Sequence, residues 1–295
     1  MNRKTLGFAA ATAALALSVG LTASPALAAV GDGTWGIWTA TDVDNAASGN
    51  ITIGDSAVGG ASFTYDETVG TSSAYIESVN DREDWFTAEA PPGVVFGANG
   101  PSDVENVITL SNDDPNVGVL VITFNNPVPA GDLGVAIGDL DSSEESDPNE
   151  SDRATVEATT GAGADLTSAE LNGEVFNMCN VAINADMPTA CGDTQITDVP
   201  ILTEPTATSV KFSGDPVVSD GTGEYGWVHP TAEVKSLTIT WNGWDSGSSS
   251  RVFVAVKKHA ALPDTGVDAV SLTLTSVVLG LLGAAALIAV RRRRA

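Results

Sequence analysis

The densest group of acidic side chains in the sequence lies between residues 139 and 152. Oxygen ligands gathered in one flexible segment suit Ca²⁺, which accepts about six to eight of them. Glu144 stands where an EF-hand loop beginning at Asp139 would need glycine, so the segment is not an EF-hand. The alternative is a solvated acidic loop without a ligand. The candidate calcium ligands are Asp139, Asp141, Asp147 and Asp152.

Aromatic residues in two glycine-containing segments form a second candidate site. An aromatic ring can stack on a sugar face, and a neighbouring carboxylate can accept hydrogen bonds from sugar hydroxyls. The alternative is that these rings pack in the core, as we expect for Trp241, which is in phase with Leu237 and Ile239. The candidate ligand-binding residues are Trp244, Asp245, Tyr225 and Trp227.

Signals of catalysis are weak. The sequence has no Gly-x-Ser-x-Gly nucleophile elbow. Its two histidines are His229 and His259, and His259 lies in the short segment before residue 262. We therefore do not predict an enzyme, although paired carboxylates of a glycoside hydrolase stay open as an alternative.

The two ends of the chain predict export and membrane insertion. Residues 1–28 combine Arg3 and Lys4, an apolar stretch and a small-x-small site ending at Ala28, as in a cleaved signal peptide. Residues 269–290 are uncharged and long enough to cross a bilayer as a helix. The basic tail 291–295 stays cytoplasmic by the positive-inside rule, which places residues 29–261 outside the cell.

The segment that precedes the apolar span consists of Leu262, Pro263, Asp264, Thr265 and Gly266. With the span and the basic tail in this order, it resembles the LPXTG cell-wall sorting signal of Gram-positive bacteria. The resemblance implies that a membrane sortase cleaves the Thr265–Gly266 bond and joins the Thr265 carboxyl to an amine of a peptidoglycan precursor. It implies a protein at the cell wall that is membrane-anchored only before sorting. An ordinary single-span membrane protein is the alternative.

Cys179 and Cys191 are the two cysteines of the chain, and both belong to the exported part. A disulfide between them is expected outside the cell. A thioester between a cysteine and Gln195 is the alternative.

Short strands separated by Gly, Asn, Asp and Pro dominate the exported part. Alternation with period two is clear in 234–241, where Leu237, Ile239 and Trp241 share one side. The pattern predicts an all-β, jelly-roll-like sandwich, as one domain over 29–261 or as two packed parts, 30–100 and 101–260. The other predicted strands are 35–39, 51–53, 61–65, 94–96, 107–110, 117–124, 133–137, 153–158, 209–213 and 251–257.

The stretch 119–158 resembles jelly-roll domains of Gram-positive surface proteins. In these domains a strand ending in aromatic-x-x-Pro precedes a hydrophobic strand ending in Asp-x-Asp. The matching segments are Phe124-Asn125-Asn126-Pro127 and Asp139-Leu140-Asp141, followed by Asp152 before the strand 153–158. The resemblance implies an adhesin head or a carbohydrate-binding module.

A formal net charge of −25 disfavours binding to nucleic acid, since such binding needs Lys and Arg on phosphates. We therefore expect a surface protein that binds a glycan or a matrix protein without catalysis. A structural component of the wall or of a pilus is the first alternative, because only residues 258–261 separate the last predicted strand, 251–257, from the sorting motif. An extracellular glycoside hydrolase is the second.

Overall fold

The computed structural model describes residues between 32 and 258, with several gaps. The described residues are 32–44, 46–55, 57–69, 72–78, 86–99, 106–112, 117–140, 142, 151–182, 191, 196–215, 223–243 and 248–258. They form two antiparallel sheets that pack face to face as a β-sandwich, as predicted.

The described residues contain fifteen strands and two short helices. The strands are β1 (Gly33–Trp35), β2 (Ile37–Ala40), β3 (Ser48–Thr52), β4 (Ala61–Val69), β5 (Ser72–Glu77), β6 (Val107–Asn112), β7 (Val117–Val128), β8 (Leu133–Gly138), β9 (Arg153–Thr159), β10 (Gly173–Asn177), β11 (Ile201–Thr206), β12 (Ser209–Ser213), β13 (Glu224–Val228), β14 (Val234–Asn242) and β15 (Ser249–Lys257). The helices are α1 (Pro91–Phe96) and α2 (Ser168–Leu171).

One sheet has eight strands in the order β11-β12-β9-β14-β7-β4-β3-β2. The other has seven, in the order β10-β13-β8-β15-β6-β5, with β1 also paired to β15. Strands from 30–100 pair with strands from 101–260 in both sheets: β4 pairs with β7, β5 with β6 and β1 with β15. The segments 30–100 and 101–260, which the sequence also allowed as two packed parts, therefore contribute strands to one sandwich.

The main core lies between the sheets. It is built by the inward residues of alternating strands, such as Leu237, Ile239 and Trp241 of β14, each fully buried. Their neighbours Thr238 and Thr240 face outward and are half-buried. This alternation fixes the register, because a slip by one residue would turn the apolar set toward water.

A second core covers the outer face of the seven-stranded sheet. Helix α1 and the segment around the end of β10 lie over this face and form an aromatic cluster with it. As a result β8 is buried along its whole length and shows no polar alternation. The rings of the cluster are Phe86, Phe96, Phe176, Tyr225, Trp227 and Phe253, with Trp35 packed against them.

One predicted strand is wrong. Residues 94–96 belong to α1, which begins with Pro91 and Pro92 in its first turn. Proline fixes φ near the helical value and costs no hydrogen bond at this end of a helix, so it favours this start. Strands β5, β10, β11 and β13 were not predicted. No helix within the described ranges is both long and apolar enough to cross a bilayer. The predicted signal peptide and the predicted span 269–290 lie outside those ranges.

Candidate functional site

Asp139 is held by β15 rather than left open to solvent. It directly follows β8 and has a positive φ of 61°. Its Oδ2 lies 3.2 Å from Arg251 Nη2 and accepts a hydrogen bond from Ser249 Oγ at 2.8 Å. The guanidinium supplies the positive charge that a cation would otherwise bring to this carboxylate.

Asp152 lies directly before β9 and is 1% exposed. Its backbone oxygen accepts a hydrogen bond from Gly214 N at 3.1 Å. An isolated antiparallel β-bridge joins Ser142 to Ser151 on either side of the acidic segment 143–150. Among the residues that the structure describes, no three acidic, histidine or cysteine side chains come together to hold a metal. Asp141 and Asp147 lie outside them, so calcium binding stays a prediction.

The predicted disulfide is confirmed. Cys179 and Cys191 are bonded, with their Cα atoms 5.3 Å apart. Both are buried in the second core, which we call the aromatic layer after its rings. The bond rules out the alternative thioester with Gln195. Asn177 holds the backbone next to the disulfide in place. Its Oδ1 accepts a hydrogen bond from Cys179 N at 2.8 Å, and its Nδ2 donates to Asp198 O at 2.7 Å.

Tyr225 and Trp227 do not face solvent. They are 0% and 1% exposed, so neither ring can stack on a sugar, and their predicted role in ligand binding is wrong. Tyr225 packs against Phe86 with ring centroids 5.1 Å apart, and Trp227 against Phe96 at 5.7 Å. Trp244 and Asp245 lie outside the described residues.

His229 belongs to the edge of this layer. Its ring contacts Phe96 and stacks on Trp227, with centroids 5.7 and 6.1 Å apart, and Nε2 lies 3.0 Å from the carbonyl oxygen of Gly131. Burial lowers the pKa of the imidazole below its usual 6.5, and the nearby Lys257 lowers it further, against the opposing effects of the Gly131 hydrogen bond and the acidic neighbours Glu174 and Asp132. Held in these contacts, the ring serves packing.

A feature that sequence reasoning missed crosses the outer face of the eight-stranded sheet. Six hydroxyl or amide side chains stand opposite one another on six adjacent strands, and we call them the hydroxyl row. They are Thr39, Asn50, Ser62, Thr123, Ser236 and Thr159. The outward position of Ser236 follows from the alternation in β14, but its partners follow only from the strand register.

Two depressions lie along this face. The larger, of about 580 Å³, is lined by residues of β2, β3 and β4, including Thr39, Asn50 and Ser62. The smaller, of about 170 Å³, is lined by residues of β9 and β14 and by two loop residues, and it includes Thr159 and Glu157. The hydroxyl row joins the two.

Comparisons with known proteins assign this chain to no family. No protein-family model matches the chain, and no curated protein matches it. Among solved structures, the enzymatically active domain of tailspike protein 4 of bacteriophage CBA120 is 10% identical, with a TM-score of 0.28. The match covers 68% of this chain and 19% of the tailspike chain, and a similarity this low carries no argument about function.

Proposed function

We propose that the chain is a Gram-positive surface protein which sortase joins to peptidoglycan through Thr265. Its β-sandwich then presents a surface that binds a glycan or a matrix protein without catalysis. The observation that carries the anchoring is the order of four segments in one sequence: signal peptide, Leu-Pro-Asp-Thr-Gly, apolar span and arginine tail. Each segment is common alone, whereas the ordered set serves one purpose.

The ends of the sandwich suit this attachment. Strand β1 pairs with the last strand, so that Gly33 stands opposite Lys257, and Lys258 N donates to Asp32 O at 3.0 Å. Ala29, which follows the proposed signal cut, is three residues before Asp32, and Leu262 is four residues after Lys258. The chain therefore enters the described sandwich at Asp32 and leaves it at Lys258, and these two residues are hydrogen-bonded neighbours.

Substitution Thr265→Ala tests the anchoring. The variant removes the residue whose carboxyl the sortase transfers, so we expect covalent attachment to the wall to be lost almost completely. The chain is produced in a Gram-positive host that has a sortase, and release by a wall hydrolase is compared with release by detergent. Ala261→Gly, just outside the motif, is the control and keeps wall linkage. Thr265→Ala protein that only a wall hydrolase releases would contradict the proposal.

Binding is tested with the mature chain, Ala29 to Thr265, on an array of glycans and matrix proteins, with calcium and then with a chelator. Binding that needs calcium favours an adhesin that uses the 139–152 segment. Heat-resistant ladders of high mass on cells favour the structural wall or pilus alternative. Turnover that a single carboxylate substitution abolishes favours the glycoside hydrolase.

A further inference from the structure

The hydroxyl row is long and faces solvent. Strands in a sheet lie about 4.8 Å apart, so six strands place Thr39 and Thr159 about 24 Å from each other. Thr39, Asn50 and Ser62 are exposed, and Thr123, Ser236 and Thr159 are half-buried. A line of this length across an open sheet can contact several units of an extended polymer.

The chemistry of the row matches that of a sugar chain. A hydroxyl donates one hydrogen bond and accepts others, and an amide side chain does both as well. Sugar hydroxyls have the same dual capacity. Thr39 and Ser236 can accept from them, because their own hydroxyls already donate to the carbonyl oxygens of Asn50 and Ile122 at 3.3 and 3.2 Å. The other four members can pair with a sugar hydroxyl in either direction. The apolar partner for a sugar ring comes from the next row, where Val121 is half-buried between Thr64 and Thr238.

Charge narrows the class of polymer. No member of the row is charged, although the chain as a whole carries a formal net charge of −25. An anionic polymer would be repelled by the molecule, and a cationic one would be drawn to the acidic segments in preference to this row. An uncharged polymer has neither bias.

The depressions give the polymer two places to seat. Three members of the row line the larger depression and Thr159 lines the smaller one. The smaller depression also has Glu157 and Asp165, whose carboxylates accept hydrogen bonds from sugar hydroxyls. Thr123 and Ser236 lie between the two, so a chain that enters one depression reaches the other along the row.

From these contacts we infer that the outer face of the eight-stranded sheet binds an uncharged polysaccharide laid across the strands along the hydroxyl row. This inference rests on the proposed binding function and names both its surface and its ligand class. It replaces the aromatic site expected around Tyr225 and Trp227, whose rings are buried on the other sheet.

The test measures binding of the mature chain to immobilised dextran, mannan, a galactan and a β-glucan, to alginate as an anionic polymer, and to matrix proteins. A triple variant, Asn50→Ala/Ser62→Ala/Thr159→Ala, removes hydrogen-bonding groups from the row. A second variant, Thr123→Arg, places bulk and charge at its centre. We expect the wild type to prefer a neutral polysaccharide, and both variants to bind it about tenfold more weakly or worse, because each lost hydrogen bond lowers the affinity.

Ser73→Ala is the matched control. It removes a serine hydroxyl from a strand of the other sheet, where the group donates to Tyr75 at 2.7 Å, and it should leave binding within about twofold of wild type. Melting curves verify that the variants are folded, and Thr123→Arg carries the test if the triple variant is not.

Three results overturn the inference, and they separate it from the proposed function. Neutral polysaccharide that both folded variants still bind as the wild type does would show that another surface binds it, while the binding function stands. A preference for alginate or for a matrix protein would contradict the ligand class and leave the binding function intact. A wild-type chain that binds nothing on the panel would contradict both the inferred polysaccharide surface and the proposed binding function.

Discussion

At the scale of the residue, His229 shows how packing sets protonation. The imidazole lies between Phe96 and Trp227, and the Gly131 carbonyl accepts from its Nε2–H. Burial penalises the charged ring more than the carbonyl favours it, so the pKa is lower in the folded chain than in the unfolded one. Between these two pKa values the unfolded chain binds the proton and the folded chain does not.

We therefore expect the free energy of unfolding to decrease as the pH is lowered through this window. The contribution of the neutral ring is fully present above the unfolded pKa, near 6.5, and is lost as the pH drops toward the lower folded value. Urea unfolding of the mature chain is compared at pH values from about 7.5 down to about 5.5. His229→Gln, whose amide can still donate to Gly131, should show a shallower dependence. Equal slopes for variant and wild type would refute the assignment.

The same scale shows which site residues a sequence can reveal. Cys179 and Cys191 are the two cysteines of the sequence, so their disulfide could be predicted without knowledge of the fold. Tyr225 and Trp227 are different, because an aromatic residue near glycine suits either a surface loop or a packed layer. What decides between them is the cover supplied by Phe86 and Phe96, which are more than a hundred residues away in sequence.

At the scale of the element, β14 and β8 mark the limits of pattern reading. Strand β14 has one face toward the core and one toward solvent, so its alternation could be predicted from sequence. Strand β8 is buried on both faces and β13 is short with a central glycine, so neither alternates and β13 was missed. The helix α2 has the capping box Thr167-x-x-Glu170, a signal that was available but covers a helix of only four residues.

Two glycines in β8 make room for the aromatic layer. A Cβ on Gly138 would lie 2.0 Å from Cε1 of Tyr225, and one on Gly134 would lie 2.1 Å from the Trp227 ring. Tyr225 has little freedom to retreat, because Phe86 and Phe176 flank it at 5.1 and 5.5 Å between centroids. The layer therefore depends on the absence of a side chain at these positions.

Gly138→Ala should destabilise the sandwich by roughly 1–3 kcal/mol, the usual cost of overpacking a core. The measurement is the free energy of unfolding of the mature chain in urea. Gly173→Ala in β10 is the matched control, because its Cβ would lie 3.3 Å or more from its neighbours, the nearest being the flexible end of Leu202. Both changes reduce the entropy of the unfolded chain equally, so their difference isolates the clash. Equal stabilities would mean that the Tyr225 ring can move aside.

At the scale of the whole molecule, charge opposes the compact state. The two proposed cuts remove six of the 13 basic residues and one of the 38 acidic ones, which leaves a net charge of about −30. Seven basic residues then face 37 acidic ones, so most of the acids cannot each have a basic partner of their own, as Asp139 has in Arg251. Like charges crowded on one folded body repel one another, and folding brings them closer than they are in the open chain.

Salt should therefore stabilise the mature chain. At about 0.01 M ionic strength the Debye length is about 30 Å, comparable with a domain, whereas at about 1 M it is about 3 Å and the repulsion is screened. We expect the urea midpoint to rise steadily over this range of sodium chloride, with urea chosen because it adds no ions.

The variant Asp66→Asn/Glu67→Gln removes two exposed acids from β4. Its urea midpoint should be higher than that of the wild type at low salt and should increase less as salt is added. A midpoint that does not change with salt would mean that the acidic groups lie far enough apart, or are already paired closely enough, for repulsion to contribute nothing. Calcium compared with sodium at equal ionic strength then separates screening from binding, since only a bound ion stabilises beyond the screening effect.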